Sequence, residues 1–312
     1  MNKIKTGDIL CFGTPDARCG FDGRWLVLDS ALTNTGERGI FLVALGLIGN
    51  DDGGELVYRD IGDVSVDFFN RGGRFAKSHP GSQNYQGSEL QAWCGKFLES
   101  HFSPAEKSAV ISTCKSDAAS VIPGLGIALP GAKDGTVNFD PAENVLRDDR
   151  LFPLSAEEAY NEKYGFNDDA SRVAFYKGEA AGYWLRSPHI DTFPLDVGFV
   201  FPFGALMDYP VNGQFMFHMN SYARPAMNLD ASKITGIETI ASERRVNFFR
   251  VSFGGESNTC EYDTSLPPAG KTMDLKGIAR KAVKISAAVS AALILAGIFM
   301  TARKVAKQNC HQ

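Results

Sequence analysis

The segment 285–302 constrains this chain more than any other feature, because its eighteen residues, ISAAVSAALILAGIFMTA, carry no formal charge. A helix of about 20 apolar residues crosses the hydrocarbon of a bilayer, and the stems of flanking lysines and arginines extend its reach to the headgroups. Residues 276–312 contain 7 basic side chains, placed on both sides of the segment, and no acidic ones. The sequence therefore predicts a single-pass transmembrane helix over 285–302, a tail anchor followed by a basic tail over 303–312.

A buried amphipathic helix is the alternative for this segment, since alanine and serine are only weakly apolar on insertion scales. The absence of a polar face at helical spacing counts against that alternative. Ala288, Ala292 and Ala296 repeat every four residues, and a ridge of small residues lets two membrane helices approach closely. A homodimer that pairs through the anchor helix is therefore a hypothesis for this chain.

The N-terminal residues 1–13 contain two lysines but neither a long apolar core nor a small-residue cleavage site. We therefore expect no secretory signal there and favour a cytoplasmic head. Basic residues on both sides of the predicted span leave the membrane topology open. The six cysteines show neither CxxC pairs nor dense spacing, so they are expected to be reduced rather than paired in a disulfide scaffold.

The charge of the chain is unevenly distributed. Residues 276–312 hold 7 of the 32 basic side chains, which leaves 25 basic against 36 acidic side chains in the head, a net charge of −11. Nucleic-acid binding is dominated by neutralisation of phosphates with lysine and arginine. We therefore expect no nucleic-acid partner for the head.

Local patterns predict a mixed α and β head. Apolar runs at 8–12, 24–28 and 39–48, separated by turn residues, indicate an opening antiparallel sheet. Serine followed three residues later by glutamine or glutamate is a capping box, and this pattern predicts helices in the middle of the chain. Strand and turn patterns return after Gly182. The three predicted helix starts are Ser88, Ser103 and Ser155.

Five stretches of the sequence resemble one bacterial family, the domain of unknown function 6273. They are RWLVL at 24–28, the helix around Trp93 with the following FSPAEK, LFPLSAEEAY at 151–160, YWLRSP at 183–188 and ARPAMNL at 223–229. The resemblance implies an α+β head with a C-type-lectin-like fold, related to formylglycine-generating enzymes and to the variable proteins of diversity-generating retroelements. Such folds present a ligand face that is built from late loops.

Carried over to this chain, the resemblance divides the notable residues into a structural frame and a recognition surface. Two stretches, HIDTF at 189–193 and FHMNSY at 217–222, mix aromatic rings with small polar groups, a composition that suits binding surfaces. The predicted frame consists of Trp25, Trp93, Trp184, Arg186 and Arg224. The predicted ligand-binding residues are His189, Ile190, Asp191, Phe193, Phe217, His218, Asn220 and Tyr222.

The search for catalytic motifs is mostly negative. The sequence has no GxSxG, HExxH, P-loop or EF-hand spacing, its five histidines lack ligand-like spacing, and the calcium-binding tripeptides of sugar-binding C-type lectins are absent. Formylglycine-generating enzymes use a late pair of cysteines, and no pair matches here, although Cys94 and Cys114 could approach each other. We therefore predict a protein without catalytic residues, cofactor or metal.

These observations predict a membrane-tethered, non-catalytic module that binds a protein or a small ligand through the late loops. Two alternatives stay open: a membrane-tethered oxidase-like enzyme related to formylglycine-generating enzymes, and a structural envelope protein. The predicted organisation is a C-type-lectin-like domain over 1–230, an appended β-hairpin over 231–255, a linker with a basic flank over 256–284, the transmembrane helix over 285–302 and the tail over 303–312.

Overall fold

The computed structural model describes residues 4–56, 85–116, 145–188, 196–210 and 221–267. All of them lie in one compact unit that spans Met1–Pro267. The described residues form an α+β fold in which sheet predominates. The predicted transmembrane segment 285–302 lies outside the described residues.

The strands, in chain order, are β1 (Ile9–Cys11), β2 (Arg24–Asp29), β3 (Ile40–Ala44), β4 (Thr113–Ser116), β5 (Val145–Asp149), β6 (Phe152–Pro153), β7 (Ala174–Tyr176), β8 (Glu179–Pro188), β9 (Asp196–Val200), β10 (Leu206–Pro210), β11 (Ser221–Tyr222), β12 (Pro225–Leu229), β13 (Ile234–Glu243) and β14 (Val246–Phe253). The helices are α1 (Glu89–His101), α2 (Pro104–Ala109), α3 (Ala156–Ala159) and α4 (Asp169–Arg172).

Within the described ranges, seven strands form the larger sheet in the order β13-β14-β1-β2-β3-β12-β6. The predicted opening antiparallel sheet is confirmed, since β1 pairs with β2 and β2 with β3 in antiparallel fashion. A second sheet contains β10, β9, β8 and β11 in that order, with β7 also paired to β8. Strands β4 and β5 form a separate antiparallel pair.

Strand β3 is buried along its whole length, IFLVA, because both faces of the larger sheet are covered. Ile40 and Leu42 face the core that includes Phe97 and Leu98 of α1. Phe41 on the opposite face joins the core that contains residues of the second sheet. A continuous apolar run is the expected pattern for a strand with two buried faces.

The predicted capping boxes at Ser103 and Ser155 are confirmed, with reciprocal side-chain and backbone hydrogen bonds at each helix start. At Ser88 the hydroxyl accepts from the Gln91 backbone N–H at 3.0 Å. The Gln91 side chain, however, accepts from the backbone N–H of Gly87 at 2.7 Å instead of that of Ser88. The first helix therefore starts where predicted, but only half of its predicted capping box forms.

Residues 231–255, predicted as an appended hairpin, form β13 and β14 as an integral part of the larger sheet. Strand β14 pairs in parallel with β1, with Ile9 opposite Phe248 and Cys11 opposite Arg250. The first part of the predicted linker is also packed on this sheet, since Arg24 Nη1 donates to the carbonyls of Asp263 and Ser265 at 3.2 and 2.5 Å. Contacts between distant parts of the chain, which no local pattern shows, account for both differences.

Candidate functional site

One end of the second sheet contains both strand ends that flank the first predicted recognition loop, whereas the second predicted loop joins β11 at Ser221, opposite Gly182 at the other end of β8. In β8 and β9, Pro188 lies opposite Val197. In β9 and β10, Asp196 lies opposite Pro210. The chain therefore leaves the sheet after 188, returns at 196 and leaves again after 210, all at the same end.

Tyr222 is the one predicted ligand-binding residue within the described part of the chain. It lies in β11, opposite Tyr183 of β8 in a parallel pairing. Its side chain is buried and its ring stacks on the Tyr176 ring with centroids 4.0 Å apart. Because it is buried, the Tyr222 ring packs against Tyr176 and is not an exposed contact residue in this structure. The other predicted contact residues, His189, Ile190, Asp191, Phe193, Phe217, His218 and Asn220, lie outside the described residues.

The strand that leads to the first loop is fixed by Trp184 and its neighbours. Trp184 is fully buried, donates from Nε1 to the Leu56 carbonyl at 2.7 Å and meets the Phe199 ring edge-on at 4.9 Å. Gly182 passes under the same Phe199 ring, where an added Cβ would come within 2.3 Å of it. A glycine is therefore required at this close approach.

A bulge in β8 directs Arg186 away from the sheet and toward helix α3. The pairing with β9 shifts register between Trp184 and Pro188, and the freed Arg186 backbone N–H donates to the Leu154 carbonyl at 2.9 Å. Next to it, the Ser187 hydroxyl accepts from the Ala156 backbone N–H at 2.9 Å. Bulges commonly redirect a side chain in this way.

The redirected Arg186 forms a buried ion pair with Glu158. Arg186 Nη1 donates to Glu158 Oε2 at 2.6 Å and Nη2 donates to Oε1 at 2.9 Å, with both side chains at most 3% exposed. Lys115 Nζ adds a second cation, 2.7 Å from Oε1. Bidentate pairing of an arginine with a carboxylate fixes geometry as well as charge.

The electrostatics of Glu158 follow from this arrangement. Burial acts to raise the pKa of the Glu158 carboxyl, but the Arg186 guanidinium and the Lys115 ammonium outweigh burial and hold that pKa well below its ordinary value. The carboxylate is therefore charged at neutral pH. It is a fixed structural anion, and it is not poised to exchange a proton.

A chain of amide hydrogen bonds extends the Glu158 pair into the larger sheet. Asn34 Nδ2 donates to Glu158 Oε1 at 2.8 Å, and Asn228 Nδ2 donates to Asn34 Oδ1 at 2.6 Å. All three side chains are buried. Strand β12, helix α3 and strand β8 are therefore connected by one polar network. The sequence patterns do not predict this network, because they indicate only a capping role for Glu158.

Arg224 forms a second buried connection between the sheets. Its Nε donates to the Ala44 carbonyl at 3.1 Å and its Nη1 donates to Tyr183 Oη at 3.2 Å. The guanidinium lies over the Phe166 and Tyr183 rings, 5.8 and 5.3 Å from their centroids. This planar cation is held by stacking as well as by hydrogen bonds.

Trp25 and Trp93 lie in the core on the α1 face of the larger sheet. Trp25 is fully buried and donates from Nε1 to the Phe12 carbonyl at 3.3 Å. Trp93 is partly buried and stacks on Phe97 at 4.9 Å. The predicted frame residues thus pack on both faces of the larger sheet.

The oxidase-like alternative requires a reactive pair of cysteines. Cys11, Cys19, Cys94, Cys114 and Cys260 are all unpaired. Cys94 is buried and Cys114 is exposed, and burial raises the pKa of the Cys94 thiol. A thiol that stays protonated is a weak nucleophile, so Cys94 is not activated for the oxidase-like alternative.

The comparison with protein families identifies the region that contains this frame. Residues 52–231 match the family described as Domain of unknown function (DUF6273). The chain belongs to the DUF6273 family. The DUF6273 region includes Trp93, Trp184, Arg186 and Arg224 with the strand ends described above, whereas Trp25 precedes it. No curated protein and no solved structure matches the chain significantly.

None of the helices formed by the described residues is long and apolar enough to cross a membrane. The tail-anchor prediction concerns residues 285–302, to which this finding does not apply.

Proposed function

We propose that this chain is a non-catalytic binding module with a C-type-lectin-like architecture, tethered to a membrane through residues 285–302. The observation that carries the proposal is the convergence of the strand ends at 188, 196 and 210 at one end of the second sheet. The segment 189–195, rich in aromatic and polar residues, leaves and rejoins the sheet at that end. The segment 211–220, of similar composition, begins there and rejoins the sheet at Ser221, opposite Gly182. Protein-binding surfaces favour this composition because aromatic rings give large contact areas.

The buried network beneath these strands supports the proposal. Arg186 and Arg224 each connect the second sheet to another element through several hydrogen bonds. A binding surface on a rigid scaffold loses less conformational entropy when a partner binds. The frame therefore gives the loops a rigid support that does not rearrange when a partner binds.

The chemical character of the described interior also favours binding over catalysis. Glu158 is held as a paired anion by two cations, and a group with a strongly lowered pKa does not act as a general acid or base near neutral pH. Burial raises the pKa of the Cys94 thiol. The partner in this proposal is a protein or a small ligand of the same membrane surface.

Site-specific photocrosslinking tests the contact surface. A photoreactive residue is placed at His189, Asp191 or His218 of the full chain in its native cells, with a matched control at Arg244 in the β13–β14 turn. We expect one recurrent crosslinked partner from the three loop positions and none from the control. Crosslinking that is equal at all four positions, or absent at the loop positions, would contradict the proposed surface.

The tether is tested separately by membrane fractionation. We expect the full chain to sediment with membranes after carbonate washing, and a chain that ends at Pro267, which retains the compact unit Met1–Pro267, to remain in the supernatant. Equal distribution of both chains would disprove the tether and leave the contact surface to the crosslinking result.

A further inference from the structure

Three side chains with metal-binding groups meet at the C-terminal end of helix α1. They are Asp16, Cys19 and His101, and one ligand atom from each lies within 4.8 Å of the others. Asp16 and Cys19 come from the turn between β1 and β2, whereas His101 is the last residue of α1. Cys19 and His101 are buried, and the Asp16 side chain is 16% exposed.

The turn that carries Asp16 and Cys19 has a fixed backbone. Asp16 and Phe21 exchange two backbone hydrogen bonds, at 2.8 and 3.0 Å. Between them Gly20 adopts a φ of +80°, which glycine tolerates without strain. The Thr14 backbone N–H donates to the His101 carbonyl at 2.8 Å, so the turn is joined directly to the helix end.

The imidazole of His101 is oriented by groups other than the carboxylate and the thiol. Its Nδ1 lies 3.2 Å from the Phe97 carbonyl, which makes Nδ1 the protonated nitrogen in the neutral ring. The ring stacks on Phe97 at 4.1 Å and meets Phe21 edge-on at 5.8 Å. The other nitrogen, Nε2, faces Asp16 Oδ2 at 3.7 Å.

We propose that Asp16, Cys19 and His101 bind one divalent transition-metal ion of the zinc class, with a fourth coordination position left for water or an external ligand. Imidazole, thiolate and carboxylate are the ligands that Zn²⁺ takes from proteins. Zinc-bound histidines commonly donate their second ring N–H to a backbone carbonyl, the arrangement found at Nδ1 of His101. This site is independent of the proposed binding loops.

The separations fit such an ion after a small adjustment. Bonds of about 2.0 to 2.3 Å in a tetrahedral site place ligand atoms roughly 3.3 to 3.8 Å apart. The observed separations of 4.8 Å or less therefore close by about 1.5 Å at most. Rotation of the Cys19 and Asp16 side chains would supply that movement, and the Asp16 rotation breaks the hydrogen bond that the Arg18 backbone N–H donates to Oδ1 at 2.9 Å.

A cysteine nucleophile activated by histidine is the competing assignment for these residues. Such a site places the thiol on one ring nitrogen and an orienting group on the other. Here Nδ1 faces a backbone carbonyl and Nε2 faces Asp16, while the Cys19 thiol donates to the Asp16 carbonyl at 3.5 Å. The geometry therefore favours a shared ion. On binding, the ion displaces the Cys19 thiol proton to solvent and the thiolate becomes the ligand. The charge of the ion must overcome burial, which raises the pKa of that thiol.

Arg18 is the group that a metal ion must displace. Its Nη2 donates to Asp16 Oδ2 at 2.7 Å, and its side chain is 76% exposed. Since an exposed arginine finds solvent and alternative rotamers at little cost, Arg18 can release the carboxylate. The carboxylate would then exchange one cation for another.

Titration of the full chain in detergent with Co²⁺, followed by Zn²⁺, tests the site. Cobalt bound to a thiolate gives a charge-transfer absorption, and we expect this band to saturate at one equivalent and to disappear when Zn²⁺ is added. Cys19→Ser is expected to lose the band, whereas Cys114→Ser and Cys310→Ser are expected to keep it. His101→Gln should weaken binding at least about 100-fold, more than the loss of an outer-shell partner.

The controls separate this site from adventitious binding and from misfolding. A band that persists in Cys19→Ser and disappears in Cys310→Ser would place the ion at the C-terminal cysteine and overturn the proposal. A separate sample of each variant is first tested for folding by a thermal unfolding curve in the presence of a chelator. If Cys19→Ser does not fold, then a folded Asp16→Asn or His101→Gln chain that binds Co²⁺ as tightly as the wild type would equally overturn it.

Discussion

The residues around Glu158 and those around Asp16 both place a carboxylate beside an arginine, but the two arginines differ in exposure. Arg186 and Glu158 are 2% and 3% exposed, whereas Arg18 and Asp16 are 76% and 16% exposed. Removal of a buried partner leaves an uncompensated charge in the interior, while an exposed partner is replaced by water. The first pair therefore serves as fixed structure, and the second can exchange its cation.

The largest effect should come from Arg186→Met. This change removes the bidentate cation and leaves Lys115 as the remaining cation described beside Glu158. Breaking a buried pair typically costs about 3 to 5 kcal/mol of unfolding free energy. Lys115→Met is the matched control. The Lys115 side chain is 20% exposed and the bidentate Arg186 remains beside Glu158, so its loss should cost less than that of Arg186. Chemical unfolding of the chain that ends at Pro267 measures both. Equal losses would show that Arg186 has no special role.

Acid should weaken the same pair by protonating Glu158. Because the pKa of Glu158 in the folded protein lies below its unfolded value, the pair contributes stability that is complete above the unfolded glutamate pKa of about 4.3 and is lost as the pH falls through the folded value. The unfolding free energy of wild type should therefore fall more steeply below pH 4 than that of Glu158→Gln. Parallel pH profiles would refute the pKa assignment.

His101→Gln should have a smaller effect on the metal-free protein. The substitution removes the hydrogen bond to Phe97 and the ring contacts with Phe97 and Phe21. Such contacts contribute about 1 kcal/mol each, so we expect a loss of about 2 to 3 kcal/mol of unfolding free energy in chelator. A loss as large as that of Arg186→Met would mean that the two clusters do not differ.

Arg18→Ala should have the smallest effect on stability and should sharpen the contrast. The exposed Arg18 contributes little to folding, so the thermal midpoint in chelator should be unchanged within error. Its removal frees Asp16 from a competing cation, and the affinity for Co²⁺ should rise. Weaker Co²⁺ binding by Arg18→Ala would indicate that Arg18 orders the site and does not compete for it.

Local patterns predicted the elements, but not their pairing. The opening strands follow from apolar runs, and the helix starts at Ser103 and Ser155 follow from their capping boxes. The pairing of β1 with β14 depends on contacts across most of the chain, which no window of sequence contains. The hairpin over 231–255 was therefore predicted as an appendage although it completes the sheet.

The candidate sites show the same division. The distinctive local pattern YWLRSP predicts Trp184 and Arg186 as frame residues. The sequence predicts Glu158, the partner of Arg186, only as the last residue of a capping box. The spacing of histidines along the chain predicts no metal site at His101, because Asp16 and Cys19, its neighbours in space, lie far from it in sequence. The role of 189–195 and 217–220 as contact segments stays a prediction.

The parallel pairing of β1 and β14 has a consequence for the way the protein is made. Asp8 accepts from the Asn247 backbone N–H across a sequence separation of 239 residues, so β1 and its other neighbour β2 emerge from the ribosome long before β14 exists. Folds dominated by such distant contacts form slowly, and the edge of β1 is prone to aggregation until β14 pairs with it. The N-terminal strand of this protein is therefore expected to depend on chaperones during synthesis, until almost the whole head has been translated.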